Sequence, residues 1–257
     1  MDSSPTTILI VLIAGIGDSV MATKAIRALR NGFPDAKIHL LTSTESATIA
    51  RTNPHLDRVW AFPIRELRQS KGQFWPILKL LWRLRKIRYD VAVNLFRVGS
   101  WAGSFKMGLL FGCLRATAKV GQGLGPLQHF LTRRLPADAF VHKHMVDAMT
   151  DIVCAIGGKP DSEGLELEPF GDAACEEKWA PLFAGNDDPS QRSLIGVNPG
   201  GDRPNRQWRP EYFAAVADEL STRCAATILL FGGPKETLIT AKIASRMRTH
   251  AVDLAGK

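Results

Sequence analysis

The chain has 257 residues and a mass of 28.2 kDa, room for one large or about two average domains, and its 45% hydrophobic and 23% charged residues exclude disorder, collagen and coiled coil as the main architecture. The net charge of +8 is uneven: residues 1–150 carry 21 Lys/Arg against 9 Asp/Glu, and residues 151–257 carry 12 against 16, so the first part is suited to meet nucleic acid, a membrane surface or a phosphorylated substrate. The longest nearly apolar stretches, residues 8–16 and 107–114, fall short of the roughly 20 residues of a spanning helix, and residues 1–7 lack the basic start of a secretory signal, so a cytoplasmic location is expected.

Residues 7–13 (TILIVLI) form a β-branched run, the pattern of a buried parallel strand. It ends in Ala14-Gly15-Ile16-Gly17-Asp18, and a helix is predicted over 19–30, with Ala22, Ile26 and Leu29 on one face and Gly32 and Pro34 closing it. Strands are predicted at 37–42, 58–62, 89–95 and 118–120. Helices alternate with them at 46–51, 74–87, 101–113 and 144–156, and the glycine-rich piece 121–126 reads as a loop. Helix 74–87 carries Phe74, Ile77, Leu78, Leu81 and Leu84 in register. Such alternation predicts a doubly wound parallel sheet.

Residues 159–169 are polar and acidic, and 184–192 (AGNDDPSQR) are turn-rich, which marks a boundary. Beyond it the alternation restarts with strands at 194–198, 226–231 and 251–254 and helices from Pro210 and over 235–247. Three strands with two helices make half of a six-stranded doubly wound sheet, so the second domain is expected to be incomplete. The predicted division is 1–185 and 186–257. Cys113, Cys154, Cys175 and Cys224 stand 41, 21 and 49 residues apart, without metal or redox spacing, and read as small buried hydrophobes.

Two stretches carry candidate chemistry. At the first, Gly15 and Gly17 let backbone approach a ligand at the carboxyl end of a strand, and Asp18 follows directly. The simpler alternative is that Asp18 only caps a helix. A nicotinamide fingerprint fails, because its third glycine falls at Val20, and no Gly-Lys-Ser/Thr follows for a Walker loop. At the second, Asn198-Pro199-Gly200-Gly201-Asp202 precedes Arg203, Arg206, Trp208 and Arg209 before a helix start. That order suits a pyrophosphate, or equally a solvated basic loop with Trp208 as packing anchor.

The stretch from Ile16-Gly17-Asp18-Ser19 through Leu29-Arg30, followed by Phe33-Pro34-Asp35-Ala36, resembles the opening of glycosyltransferase family 9, the ADP-heptose:lipopolysaccharide heptosyltransferases. So do Asn198-Pro199-Gly200-Gly201, Arg206-Gln207-Trp208-Arg209-Pro210-Glu211-Tyr212-Phe213, Phe231-Gly232-Gly233-Pro234-Lys235-Glu236 and Leu254-Ala255-Gly256-Lys257. The resemblance implies an α/β fold of GT-B type, two Rossmann-like doubly wound domains, the second incomplete here. The first would hold the acceptor, a phosphorylated glycolipid of the lipopolysaccharide core, and the second a nucleotide sugar such as ADP-heptose. It implies an inverting reaction without metal or separate cofactor.

By the same resemblance Asp18 is the catalytic base; Gly15 and Gly17, from their place at the strand end, are expected to bind substrate beside it. Gly200 and Gly201 line the donor phosphates, Arg206 stands where the family usually has a Lys on the diphosphate, and Glu236 grips the ribose. Asp202 departs from the small hydroxyl residue often found there. Family members continue past Leu254-Ala255-Gly256-Lys257 with a further donor motif, so the chain reads as a fragment. A truncated, non-catalytic remnant that keeps acceptor binding is the alternative.

Lys79, Arg83 and Lys86 make one stripe on the helix over 74–87, with Trp75 and Trp82 on its flank. A solvated face or a peripheral rest on the anionic inner face of the inner membrane both fit it. No nucleic-acid motif accompanies the charge.

Overall fold

The computed structural model describes residues 4–63, 75–98, 100–122, 125–136, 142–167, 177–178, 180, 193–201 and 207–257. The chain divides into two compact units, Met1–Pro169 and Phe170–Lys257. The turn-rich stretch 184–192, Cys175 and Phe74 lie outside the described residues.

In the first unit six parallel strands run in the order β3-β2-β1-β4-β5-β6. They are β1 (Thr7–Leu12), β2 (Lys37–Ser43), β3 (Arg58–Phe62), β4 (Tyr89–Asn94), β5 (Ala116–Gln122) and β6 (Arg133–Leu135). The order reverses between β1 and β4, the switch point at which doubly wound sheets bind ligands outside the strands' carboxyl ends. Both faces of β1 are covered, which is why its sequence is continuously apolar. Ile8, Ile10 and Leu12 enter a core with α2 (Thr23–Gly32), α3 (Thr44–Ala50) and α6 (Met145–Cys154). Leu9 and Val11 enter the opposite core with α4 (Trp75–Lys86) and α5 (Trp101–Cys113). The ends of α2 and α6 meet glycine to glycine: a Cβ on Gly32 would stand 2.3 Å from the Gly157 carbonyl oxygen, and Gly157 takes φ +110°.

Several expectations are corrected. The helix predicted over 19–30 is two helices, α1 (Ile16–Met21) and α2, broken at Ala22. The Thr23 hydroxyl donates to the Val20 carbonyl at 2.8 Å and competes for the helix ladder there. Gly121 and Gln122, read as loop, end β5, and residues 125–130 form a 3-10 turn rather than open loop. The edge strand β6 escapes prediction because its sequence, Arg-Arg-Leu, carries no apolar run. Leu78 is exposed rather than core-facing, and Cys224 is exposed while Cys113 and Cys154 are half-buried.

In the second unit β7 (Leu194–Val197), β8 (Thr227–Leu230) and β9 (Ala251–Asp253) form a parallel sheet in sequence order. The helices α7 (Pro210–Arg223) and α8 (Thr237–Ala244) cover it through Ala214, Ala217 and Ile243, packed with Ile228 and Leu230. The buried Asp218 ties α7 to β9's approach by accepting from the backbone N–H groups of Arg248 and Thr249, both at 2.9 Å. Burial raises its pKa, but those hydrogen bonds outweigh it and hold the carboxyl at about 2. Among the described residues no helix is long and apolar enough to cross a membrane.

Candidate functional site

The loop leaving β1 sits at the switch point of the first sheet. Its anchor is the Ala14 carbonyl, which accepts from the Ser43 hydroxyl at 2.8 Å and the Ser46 hydroxyl at 2.9 Å. Ser43 also caps α3, so one short segment fixes both the loop and that helix. Gly15, exposed, is the N-cap of α1, with no side chain to cap it. Asp18 is the third helical residue, so it is not the N-cap. Its carboxylate is half-buried and accepts no hydrogen bond from any described residue. Gly17 is exposed, and a Cβ there would meet no heavy atom of the described residues within 4 Å. Ser19, next in line, is buried and contacts the Thr42 hydroxyl at 3.4 Å. The result is a carboxylate without a protein partner among the described residues, beside an open glycine floor.

Across the switch point, at the end of β4, the Asn94 amide bridges the Phe96 backbone through bonds of 3.0 and 3.1 Å. Beyond it Arg97, Gln122, Lys143 and Met145 line a small crevice of about 10 Å³, about the room of one water molecule. Lys143 is ion-paired with Asp151. Sequence reasoning missed this group. A cation just past a strand's carboxyl end is the signal that points to Arg97, whereas Lys143 lies far along the chain and reaches the pocket only through the fold.

In the second unit Gly200 and Gly201 follow β7. The Gly200 N–H donates to the Asn198 side chain at 3.2 Å, and the Gln207 amide donates to the Gly201 carbonyl at 3.0 Å. Glu236 is the N-cap residue of α8, after β8. A Cβ on Gly200 would stand 3.0 Å from Glu236 Cγ, and one on Gly232 would stand 2.5 Å from Glu236 Cβ. On Gly233 it would be 3.1 Å from Glu236 Oε2. The glycine turns after β7 and β8 thus make room for one glutamate at the sheet's carboxyl edge. Gly256, at φ +71°, closes the same edge, its N–H donating to the Gly232 carbonyl at 2.9 Å. Trp208 packs on Tyr212 and Phe213, both with ring centroids at 5.3 Å. Arg206, with Asp202 and Arg203, lies outside the described residues. The structure brings Gly200 and Glu236 together, and Gly15, Gly17 and Asp18 together. Among the described residues no group of three or more His, Cys, Asp or Glu could hold a metal ion.

The profile of glycosyltransferase family 9 (heptosyltransferase) matches residues 77–257. The chain belongs to this family. Membership makes it a glycosyltransferase of the heptosyltransferase type. Lipopolysaccharide heptosyltransferase 3 of Escherichia coli K12 is 24% identical over 253 residues, covering 94% of this chain and 68% of that protein. A glycosyl transferase family 9 structure from Veillonella parvula superposes on all of this chain and 72% of its own, with TM-score 0.82 and 20% identity. The Escherichia coli heptosyltransferase WaaC with ADP matches at TM-score 0.69 and 18% identity, over 97% of this chain and 73% of that one. The same enzyme with ADP-2-deoxy-2-fluoro heptose matches at 0.70. These likenesses give the fold, an α/β architecture of GT-B type with two Rossmann-like units.

Proposed function

We propose that this family 9 glycosyltransferase moves a heptose, or a closely similar sugar, from an ADP-linked donor to a lipopolysaccharide-core acceptor, with inversion. The observation that carries the reading is Asp18: a carboxylate without a protein partner among the described residues, held beside an open glycine floor at the switch point. In this reading Asp18 takes the proton of the acceptor hydroxyl as its oxygen forms the new bond to the anomeric carbon. The bond from that carbon to the donor diphosphate breaks on the opposite side, which inverts the centre and releases ADP. A positioned base of this kind is worth about 10²–10⁴ in rate.

The donor half of the reading rests on the family and on the glycine-cradled Glu236. Gly200 and Gly201 offer backbone to the phosphates, and Glu236 accepts from the ribose hydroxyls. Arg206, an arginine where the family usually has a lysine, spreads charge over the leaving diphosphate. Neither a metal nor a further cofactor enters. Arg97 supplies positive charge on the acceptor side, where a phosphorylated glycolipid needs it. The enzyme works in the cytoplasm, at the inner face of the inner membrane.

The test incubates the 257-residue chain with ADP-heptose and a heptose-accepting core lipid and follows ADP release. Asp18→Asn is expected to lower the rate about 10²–10⁴-fold with ADP affinity and melting temperature unchanged. A rate within twofold of the parent returns Asp18 to a helix residue without catalytic role. Acceptor binding with no transfer by the parent chain favours the acceptor-binding remnant instead.

A further inference from the structure

On the face of the first sheet that carries α4 and α5, the outer surface is unlike that of an ordinary solvated helix pair. The two helices touch each other and share one core through Leu84, Met107, Leu110 and Phe111. The Arg85 guanidinium donates to the Cys113 carbonyl at 3.2 Å, joining their carboxyl-terminal ends. Outward, α4 exposes Trp75, Leu78 and Trp82, and α5 exposes Trp101, Phe105 and Leu109. Trp75 and Trp101 are 80% and 77% exposed, large values for the residue that gains most from leaving water.

Charge sharpens the picture. Residues 75–88 and 101–113 contain Lys79, Arg83, Arg85, Lys86, Arg88 and Lys106, all exposed, and no Asp or Glu. Lys86 lies over the Trp82 ring at 3.4 Å, so its ammonium stands at the border of the apolar row. Indoles beside cations without acids form the composition that rests at a lipid headgroup boundary. A second copy on this face would set six cations against six cations in a two-fold arrangement, which like-charge repulsion opposes.

We propose that the joint outer face of α4 and α5 docks on the surface of an anionic lipid bilayer, with Trp75 and Trp101 entering the headgroup layer. Helices between parallel strands run opposite to the strands, so α4 and α5 both begin at the sheet's carboxyl edge. The two most exposed indoles therefore stand on the same edge as Asp18. A bilayer held there presents a lipid-borne acceptor to the carboxylate by lateral diffusion. The proposal deepens the acceptor reading above, but vesicle binding is measured without donor or acceptor, so the two can fail separately.

The full chain is mixed with vesicles of phosphatidylethanolamine and phosphatidylglycerol, and separately with phosphatidylcholine alone, and the bound fraction is read by co-sedimentation. Binding to the anionic vesicles only, weakened by salt, is expected. Trp75→Ala/Trp101→Ala should lower partitioning at least about tenfold. Lys79→Glu/Lys106→Glu should lower it about 25-fold or more, from roughly fivefold for each cation lost. These side chains are exposed, so circular dichroism and melting temperature should match the parent. The proposal is overturned by equal binding to both vesicle types, by no binding, or by unchanged partitioning of both variants. It is equally overturned if this face instead binds a short RNA or a second copy in lipid-free buffer while ignoring vesicles.

Discussion

Replacing Gly17 by alanine separates a glycine kept for a ligand from a glycine kept for the fold. Gly17 lies in the first turn of α1, outside the left-handed region, and its Cβ would meet nothing within 4 Å among the described residues. Alanine therefore costs nothing sterically and removes backbone freedom from the unfolded chain. The gain is at most about 0.5–1 kcal/mol. In a unit of this size that raises the melting temperature by about 1–4 °C. The same methyl group projects from the open floor beside Asp18, where an acceptor must come close for its hydroxyl to reach the carboxylate. A displacement of about 1 Å at a reacting centre costs on the order of 10²-fold in rate. The expected outcome is a chain as stable as the parent or slightly more so, with ADP affinity unchanged and transfer reduced about 10²-fold. Calorimetry gives the first two quantities and ADP release the third. A Gly17→Ala chain that transfers at the parent rate would refute the reasoning, since the space over Gly17 would then be plain solvent.

Gly232→Ala makes the opposite case: with Glu236 Cβ 2.5 Å from the new methyl group, the second unit should lose about 1–3 kcal/mol and ADP should bind more weakly. An unchanged melting temperature together with unchanged ADP affinity counts against the cradle. A pH prediction concerns Arg27, which donates to both carboxylate oxygens of Asp161 at 2.8 Å and to Glu166 at 3.1 Å. The Arg27 guanidinium holds Asp161 far below the usual carboxylate range; burial raises Glu166, but bonds from Arg27 and His55 outweigh it and leave it lowered. Depressed carboxylates add stability that is present above their unfolded pKa of about 4 and lost as pH falls through the folded values. The stability gap between the parent and Arg27→Met should thus be constant near neutral pH and shrink below about pH 4, and a gap of equal size in acid would mean that ion pairing is not its source.

The strand–helix alternation of the first unit was legible because both sheet faces are buried: Ile8 to Leu12 can only be a core strand, and Gly32 with Pro34 marks a helix end. Asp18 was legible as a residue after a glycine turn. Its freedom from a capping role was not, because N-cap and third helical position differ by a three-residue shift that only geometry settles. The pairing of Glu236 with Gly200 was hidden by sequence distance, since it arises where two parallel strands, β7 and β8, end side by side. The outer face of α5 was illegible for another reason. Its sequence, WAGSFKMGLLFGC, is apolar nearly all round and reads as a fully buried helix, so the exposure of Trp101, Phe105 and Leu109 shows only when the layer above is seen to be missing among the described residues.

The break at Ala22 gives the acidic strap after α6 a role that its composition alone does not. Glu166 N–H donates to the Thr23 hydroxyl at 3.0 Å, and that hydroxyl donates to Val20 in α1. Arg27, one turn further along α2, holds Asp161, Glu166 and the Gly164 carbonyl. The residues that lead out of the first unit are therefore bonded at the joint between the helix of Asp18 and the helix that follows it. Thr23, to which the strap is bonded, stands two residues past the end of the helix that carries the carboxylate. The charges hold the strap in place: Arg27 is largely buried, and leaving it without Asp161 and Glu166 would strand a cation in low dielectric. The ion pairs therefore fix the strap on α2, and this is the physical reason to expect stability to fall when Arg27 is lost.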